Sequence, residues 1–164
     1  MILSTANSQF QFQYNLTELI SKITKATYYK ARQRKGAKGE SLIEDQGVDE
    51  EDKVFVQTLI ESGSKKVFAP MLFLTVGIVG AYSFDEVGTP SEGAIVMTIL
   101  HKDNMIDNIE TVIDQYIYDS ILNYSLRDWY MHNGMYDDAK VSADSYIESM
   151  NGLNNTIYER KKPL

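Results

Sequence analysis

From Gln9 to Tyr14 polar and apolar positions alternate. Phe10, Phe12 and Tyr14 are interleaved with Gln9, Gln11 and Gln13. Period two predicts a short strand or an extended arm with one aromatic side. The period then lengthens. Asn15 stands three residues before Glu18, as in a capping box, and Leu16, Leu19, Ile20, Ile23, Thr27 and Ala31 form a stripe on one side of a helix that Gly36 stops. A polar loop from Lys35 to Gly47 follows, with Leu42 and Ile43 as its expected anchor to the body. A second helix opens on Asp49, Glu50, Glu51 and Asp52, which complement its positive end. Its predicted buried side is Phe55, Val56, Leu59, Ile60, Gly63 and Val67, and Pro70 ends or kinks it.

From Phe73 the texture changes. FLTVGIVGAYSF and GAIVMTIL are β-branched, nearly all apolar and separated by the turn-rich DEVGTPSEG. They predict a β-hairpin or small sheet, the hairpin covered on both faces by helices or by a neighbouring subunit. A third helix, capped by Asp103 or Asn104, carries Ile106, Ile109, Ile113, Ile117, Ile121 and Tyr124 towards Trp129 and ends at Gly134. In a fourth, Ala139, Ala143, Tyr146, Met150, Leu153 and Ile157 step by four and three residues in turn. That is the seam of a helix pair, and the short link makes the last two helices antiparallel neighbours. The expected fold is mainly α: one domain over 1–164, a helical bundle of four helices with an inserted β-hairpin at 73–100, an extended N-terminal arm at 1–14 and a tail at 158–164.

Composition narrows the function. A chain of 164 residues suits one domain. Its 23 acidic against 16 basic residues leave a net charge of −7, which argues against a protein that grips nucleic acid, since phosphate contacts need surplus Lys and Arg. With no cysteine there are no disulfides or thiolate metal sites. The most apolar run, from Val67 to Ala81, is interrupted by Pro70, Gly77 and Gly80 and falls short of the roughly 20 residues a membrane span needs, so no membrane partner is expected.

No chemistry stands out. Neither His101 nor His132 has a Glu three residues before it, as a di-metal bundle requires, so no metal or cofactor is expected. No nucleophile elbow, Ser/His/Asp set or phosphate loop is present, and the chain is not expected to be an enzyme. Arg32, Arg34, Lys35 and Lys38 form a basic cluster: either a contact site for an acidic partner or a solvated helix end suited to its dipole. Tyr116, Tyr118, Tyr124, Trp129, Tyr130 and Tyr136 occupy more than one helical side, so some should be half-exposed, as Tyr and Trp often are at protein contacts.

The order of parts is informative as a whole. An aromatic arm, FQFQYN, leads to a helix and a polar loop, then to VDEEDKVFVQTLIE, a hairpin ending GAIVMTILHKDN, the helix IDQYIYDSILNYSLRDWY and a last helix ending NNTIYERKK. This layout resembles the head–tail connector (adaptor ring) proteins of tailed bacteriophages, of the crAss-like type that infects Bacteroides. The runs from Tyr124 to Tyr130 and from Ile157 to Arg160 carry most of the likeness. The resemblance implies a structural virion protein that forms a ring, commonly a dodecamer, between portal and tail. Its partners would be other copies of itself, the portal protein and further neck or tail proteins, with DNA passing through unbound. On that reading Phe10, Phe12, Tyr14, Tyr118, Trp129, Tyr130 and Tyr136 are expected at subunit or partner contacts. The arm and tail are expected to order only in the assembly. The competing reading is a soluble four-helix interaction module with the basic cluster as its partner site.

Overall fold

The computed structural model describes residues 2–5, 9–34, 47–74, 82–85, 94–100 and 108–158. The helix stop Gly36, the expected loop anchor Leu42–Ile43, Lys35, Lys38, residues 86–93 of the DEVGTPSEG turn, His101, the expected cap at Asp103 or Asn104, Ile106 and the tail beyond Tyr158 lie outside them. The chain runs β1 (Ile2–Thr5), β2 (Gln9–Asn15), α1 (Leu16–Gln33), α2 (Lys53–Leu74), β3 (Tyr82–Asp85), β4 (Ala94–Leu100), α3 (Ile109–His132) and α4 (Tyr136–Tyr158). It is mainly helical, with four helices and a β-hairpin among the described residues, as the periodicities predict.

Helix boundaries follow local chemistry. The Asn15 side chain accepts from the Glu18 amide at 3.2 Å and starts α1 directly from β2. Before α2, Asp49 Oδ1 accepts from the amides of Glu51 and Asp52, and Asp52 Oδ2 accepts from the Asp49 amide. This reciprocal cap satisfies donors that no earlier turn could reach. Helix α2 continues past Pro70 to Leu74 rather than ending at the proline.

The turn between α3 and α4 is equally determined. Gly134 adopts φ +68°, the left-handed conformation that favours glycine. Its amide donates to the Met131 carbonyl at 3.3 Å, and the Met135 amide donates to the Tyr130 carbonyl at 2.8 Å. These two bonds close α3 in a Schellman motif, with Met135 buried beneath them. The Met135 carbonyl then accepts from the Ala139 amide and opens α4.

Helices α3 and α4 form the antiparallel pair at the centre. Ile113, Ile117, Ile121 and Trp129 of α3 and Ala139, Leu153 and Ile157 of α4 are buried, with Tyr146 and Met150 packed partly against them. Helix α2 lies on α3 through Val56, Ile60, Val67, Phe68 and Met71, all in the same core. Gly63 permits the closest approach: a Cβ there would stand 3.1 Å from the Tyr124 ring. Phe55, expected inside, is at the margin.

The residues expected to form a free arm belong instead to a sheet. All neighbours in the strand order β1-β2-β4-β3 are antiparallel, and β2 lies between β1 and the long strand of the hairpin. Phe12, Tyr14 and Ile95 are buried in the core. The intervening register positions along β2 hold Gln9, Gln11 and Gln13, opposite Leu100, Thr98 and Val96. The near-continuous apolar run of β4 alone suggested cover on both faces. Pairing with β2 sets Met97 and Ile99 level with Phe12 and Phe10, and Val96 and Thr98 level with Gln13 and Gln11.

Candidate subunit-contact surface

Of the aromatic residues expected at contacts, most serve the chain's own core. The Tyr14 hydroxyl donates to Asp114 Oδ1 at 2.8 Å, joining β2 to α3. Burial, reinforced by the Asp114 carboxylate, pushes the Tyr14 phenol well above its usual range. Its ring lies 6.1 Å from that of Tyr118, over which the Lys22 ammonium sits at 5.5 Å. Tyr118 is half-buried, and burial with the nearby Glu18 and Asp119 carboxylates raises its phenol to about 12. These two tyrosines are brought together at the junction of α1, β2 and α3.

Trp129 and Tyr130 are only 2% and 3% exposed, and Phe12 is fully buried. This corrects the expectation that they form an outer face. A lone α3–α4 hairpin would leave its aromatic surplus outside, but β2, α1 and α2 fold over it. Phe55 packs beside Trp129 with centroids 6.1 Å apart, and His132 closes that corner at 4.9 Å from Phe55. Tyr130 is raised to about 12 by burial and by Asp138, with Arg34 opposing. Phe10 lies in β2 opposite Ile99. Tyr136, at 65% exposure, is the one expected contact aromatic standing clear among those whose burial is described.

The described part of the basic cluster is divided. Arg34 reaches Asp138 Oδ2 at 2.8 Å and Lys30 reaches Asp138 Oδ1 at 3.0 Å, tying the end of α1 to the start of α4. Arg32 remains exposed. Nearby in sequence, the Arg127 guanidinium stacks 4.0 Å from the Tyr124 ring and bonds Asp128, which accounts for another cation within the chain. These tyrosines and cations act as structural ties, and among the described residues no nucleophile, base and oxyanion donor converge on one point. Among the described residues no cluster of three or more His, Asp or Glu side chains could hold a metal ion, and no helix is long and apolar enough to cross a membrane.

What does lie outside is a mixture of tyrosine and aliphatic side chains. Tyr29 and Val54 are exposed on α1 and α2, and Val54 with Tyr28 lines a groove of about 640 Å³ between those helices. On the other side of the central pair, α4 exposes Val141 and Ile147, following Tyr136. Sequence reasoning passed over these residues because it followed the buried stripes. The available signal was the opposite one: an apolar residue off its helix's stripe, as Val54 stands beside Phe55 and Val141 beside Ser142. The chain matches no family model, no curated protein and no solved structure.

Proposed function

We propose that the chain is a structural subunit of a ring, the connector between portal and tail of a tailed bacteriophage. The observation that carries this reading is the spread of exposed apolar residues over all four helices, Phe55 on α2 and Val112 and Met131 on α3 included. Tyr29 and Val54 lie on α1 and α2, whereas Tyr136, Val141 and Ile147 lie on α4. A closed ring needs two different patches, one on each side of every subunit, because its contacts are heterologous. The resemblance in the order of parts supports the same conclusion. Most of the aromatic residues expected at the interface stabilise the wedge itself, and the exposed apolar residues, Tyr29 and Tyr136 among them, meet the neighbours. A net charge of −7 per subunit, repeated around a ring, would favour passage of DNA without adhesion along any part of the channel that the acids line.

The test is the mass of the purified chain in solution, by light scattering, alone and after mixing with a candidate portal protein. A large closed oligomer, formed alone or on the portal, supports the connector reading. A monomer or dimer that is unchanged by portal proteins overturns it in favour of a soluble interaction module.

A further inference from the structure

We propose that successive copies join through the two edges of the sheet, β1 of one copy pairing with β3 of the next. The inference rests on the ring reading and goes beyond it by naming the contact. Its starting point is strand direction. In the order β1-β2-β4-β3 every neighbouring pair is antiparallel, so β1 and β3 run in opposite directions. A second copy placed beside the first in the same orientation brings its β1 antiparallel to β3, and the alternation continues unbroken. An odd number of strands would not permit this. Both edge strands have four residues, so the two edges are matched in length.

The two edge strands also lack most of the usual blunting residues in their own sequences. An exposed edge presents unpaired amides and carbonyls and is commonly blunted by charge, proline or a bulge. The β1 sequence ILST has no charge or proline, and YSFD in β3 has a charge only at its final residue. Among the described residues no strand pairs with the outer edge of either. A β1–β3 contact satisfies both rows at once, and its unlike halves are what ring closure demands.

Register restricts the pairing further. Ile2 is level with Phe12, which is level with Met97 and so with Tyr82. Positions 2 and 4 of β1 and 82 and 84 of β3 therefore belong to the side of the sheet that holds buried Phe12. Positions 3, 5, 83 and 85 belong to the glutamine side. A slip of one residue would exchange the two sides, so a continuous sheet sets Ser83 opposite Leu3 or Thr5 of the next copy, never opposite Ser4.

The chain contains no cysteine, which makes cross-linking a clean test. Two full-length double variants, Thr5→Cys with Ser83→Cys and Leu3→Cys with Ser83→Cys, are oxidised with copper phenanthroline and run on a non-reducing denaturing gel. Ser4→Cys with Ser83→Cys is the control, and circular dichroism verifies that each variant folds as the parent does. Within one copy three strand spacings of about 4.8 Å separate β1 from β3, too far for an internal disulfide. The expected result is a ladder of reducible multimers from one of the first two variants and none from the control. Dimers from Thr5→Cys or Leu3→Cys alone would indicate β1 against β1 about a two-fold axis and overturn the head-to-tail contact. If light scattering finds a large oligomer but neither pair gives a ladder, the edge contact fails and the ring reading stands. If neither a ladder nor an oligomer forms, both fail.

Discussion

Where α3 meets α4 the joins are apolar and aromatic along the whole length, while α1 and the sheet are tied to the same pair by polar contacts at separated points. The central pair has Ile113, Ile117 and Ile121 facing Leu153 and Ile157 in one core, with the Tyr124 and Tyr146 rings edge-on at 5.4 Å. The surrounding layer has its own apolar contacts, but its position is specified by Tyr14 on Asp114, by Thr27 on the Val48 amide, and by Lys30 and Arg34 on Asp138. The difference teaches that burial supplies the stability of the pair, whereas the layer's orientation depends on a few directional bonds. Losing a bond should therefore loosen the layer without dissolving the centre.

The largest expected effect tests the centre. Trp129→Ala removes a side chain that is 2% exposed and should cost about 3–5 kcal/mol by lost burial and the cavity left behind. Urea denaturation measures it, and in a ring-forming preparation assembly should fall as well. A loss below about 1 kcal/mol would show that the centre does not rest on this residue.

Next comes the buried polar tie. The Thr27 hydroxyl donates to the Thr24 carbonyl at 3.0 Å and accepts from the Val48 amide at 3.2 Å, holding the approach to α2 against α1. Thr27→Val keeps the shape but leaves that amide unpaired, at about 1–3 kcal/mol. Hydrogen exchange should quicken at Val48 and in the first turn of α2 more than in α3, which would separate layer from centre.

Tyr14→Phe should cost about 1–2 kcal/mol at neutral pH through its bond to Asp114. Its pH signature is more specific. An unfolded tyrosine loses its proton near pH 10, while Tyr14 in the folded chain holds its proton to higher pH because burial and Asp114 disfavour the phenolate. The folded state then binds more protons, so this contribution is intact below about pH 10 and is lost above it, at about 1.4 kcal/mol per pH unit. Unfolding curves at pH 9, 10 and 11 should show a shallower decline in Tyr14→Phe than in the parent. Equal slopes would remove Tyr14 from the account.

Asp138→Asn should have the smallest effect. It weakens two cation contacts at the α1–α4 junction, but the Lys30 and Arg34 side chains are 40% and 33% exposed, so water and salt screen them. The expected loss is under about 1 kcal/mol, and it should shrink further in high salt. A larger, salt-independent loss would mean that Asp138 belongs with the centre.

Legibility followed the same division. The α1 stripe of Leu16, Leu19, Ile20, Ile23, Thr27 and Ala31 is buried as its spacing predicts, and Asn15 caps it. Gly134 ends α3, and Ala139, Leu153 and Ile157 face the core, because helix period and turn chemistry are local. The start of α3 was less legible. The described helix begins at Ile109 after Asn108 in a left-handed conformation with no side-chain cap bond, so no capping pattern marked it. The contact surface was the least legible. Six aromatics in one hairpin imply a surplus only until other elements cover them, and that cover comes from residues a hundred positions away, as Tyr14 and Asp114 show.

The amino-acid order by itself determined four helices, their buried stripes, the antiparallel closing pair and the acidic charge, since periodicity, caps and composition act over a few residues. Packing across the chain settled that the aromatic arm is an interior strand, that Arg34 pairs with Asp138, and that Tyr136, Val141 and Ile147 remain at the surface while Trp129 does not. The physical reason is that burial depends on which elements meet. A strand's pattern names the side that is covered, while the partner covering it is selected by packing across the whole chain.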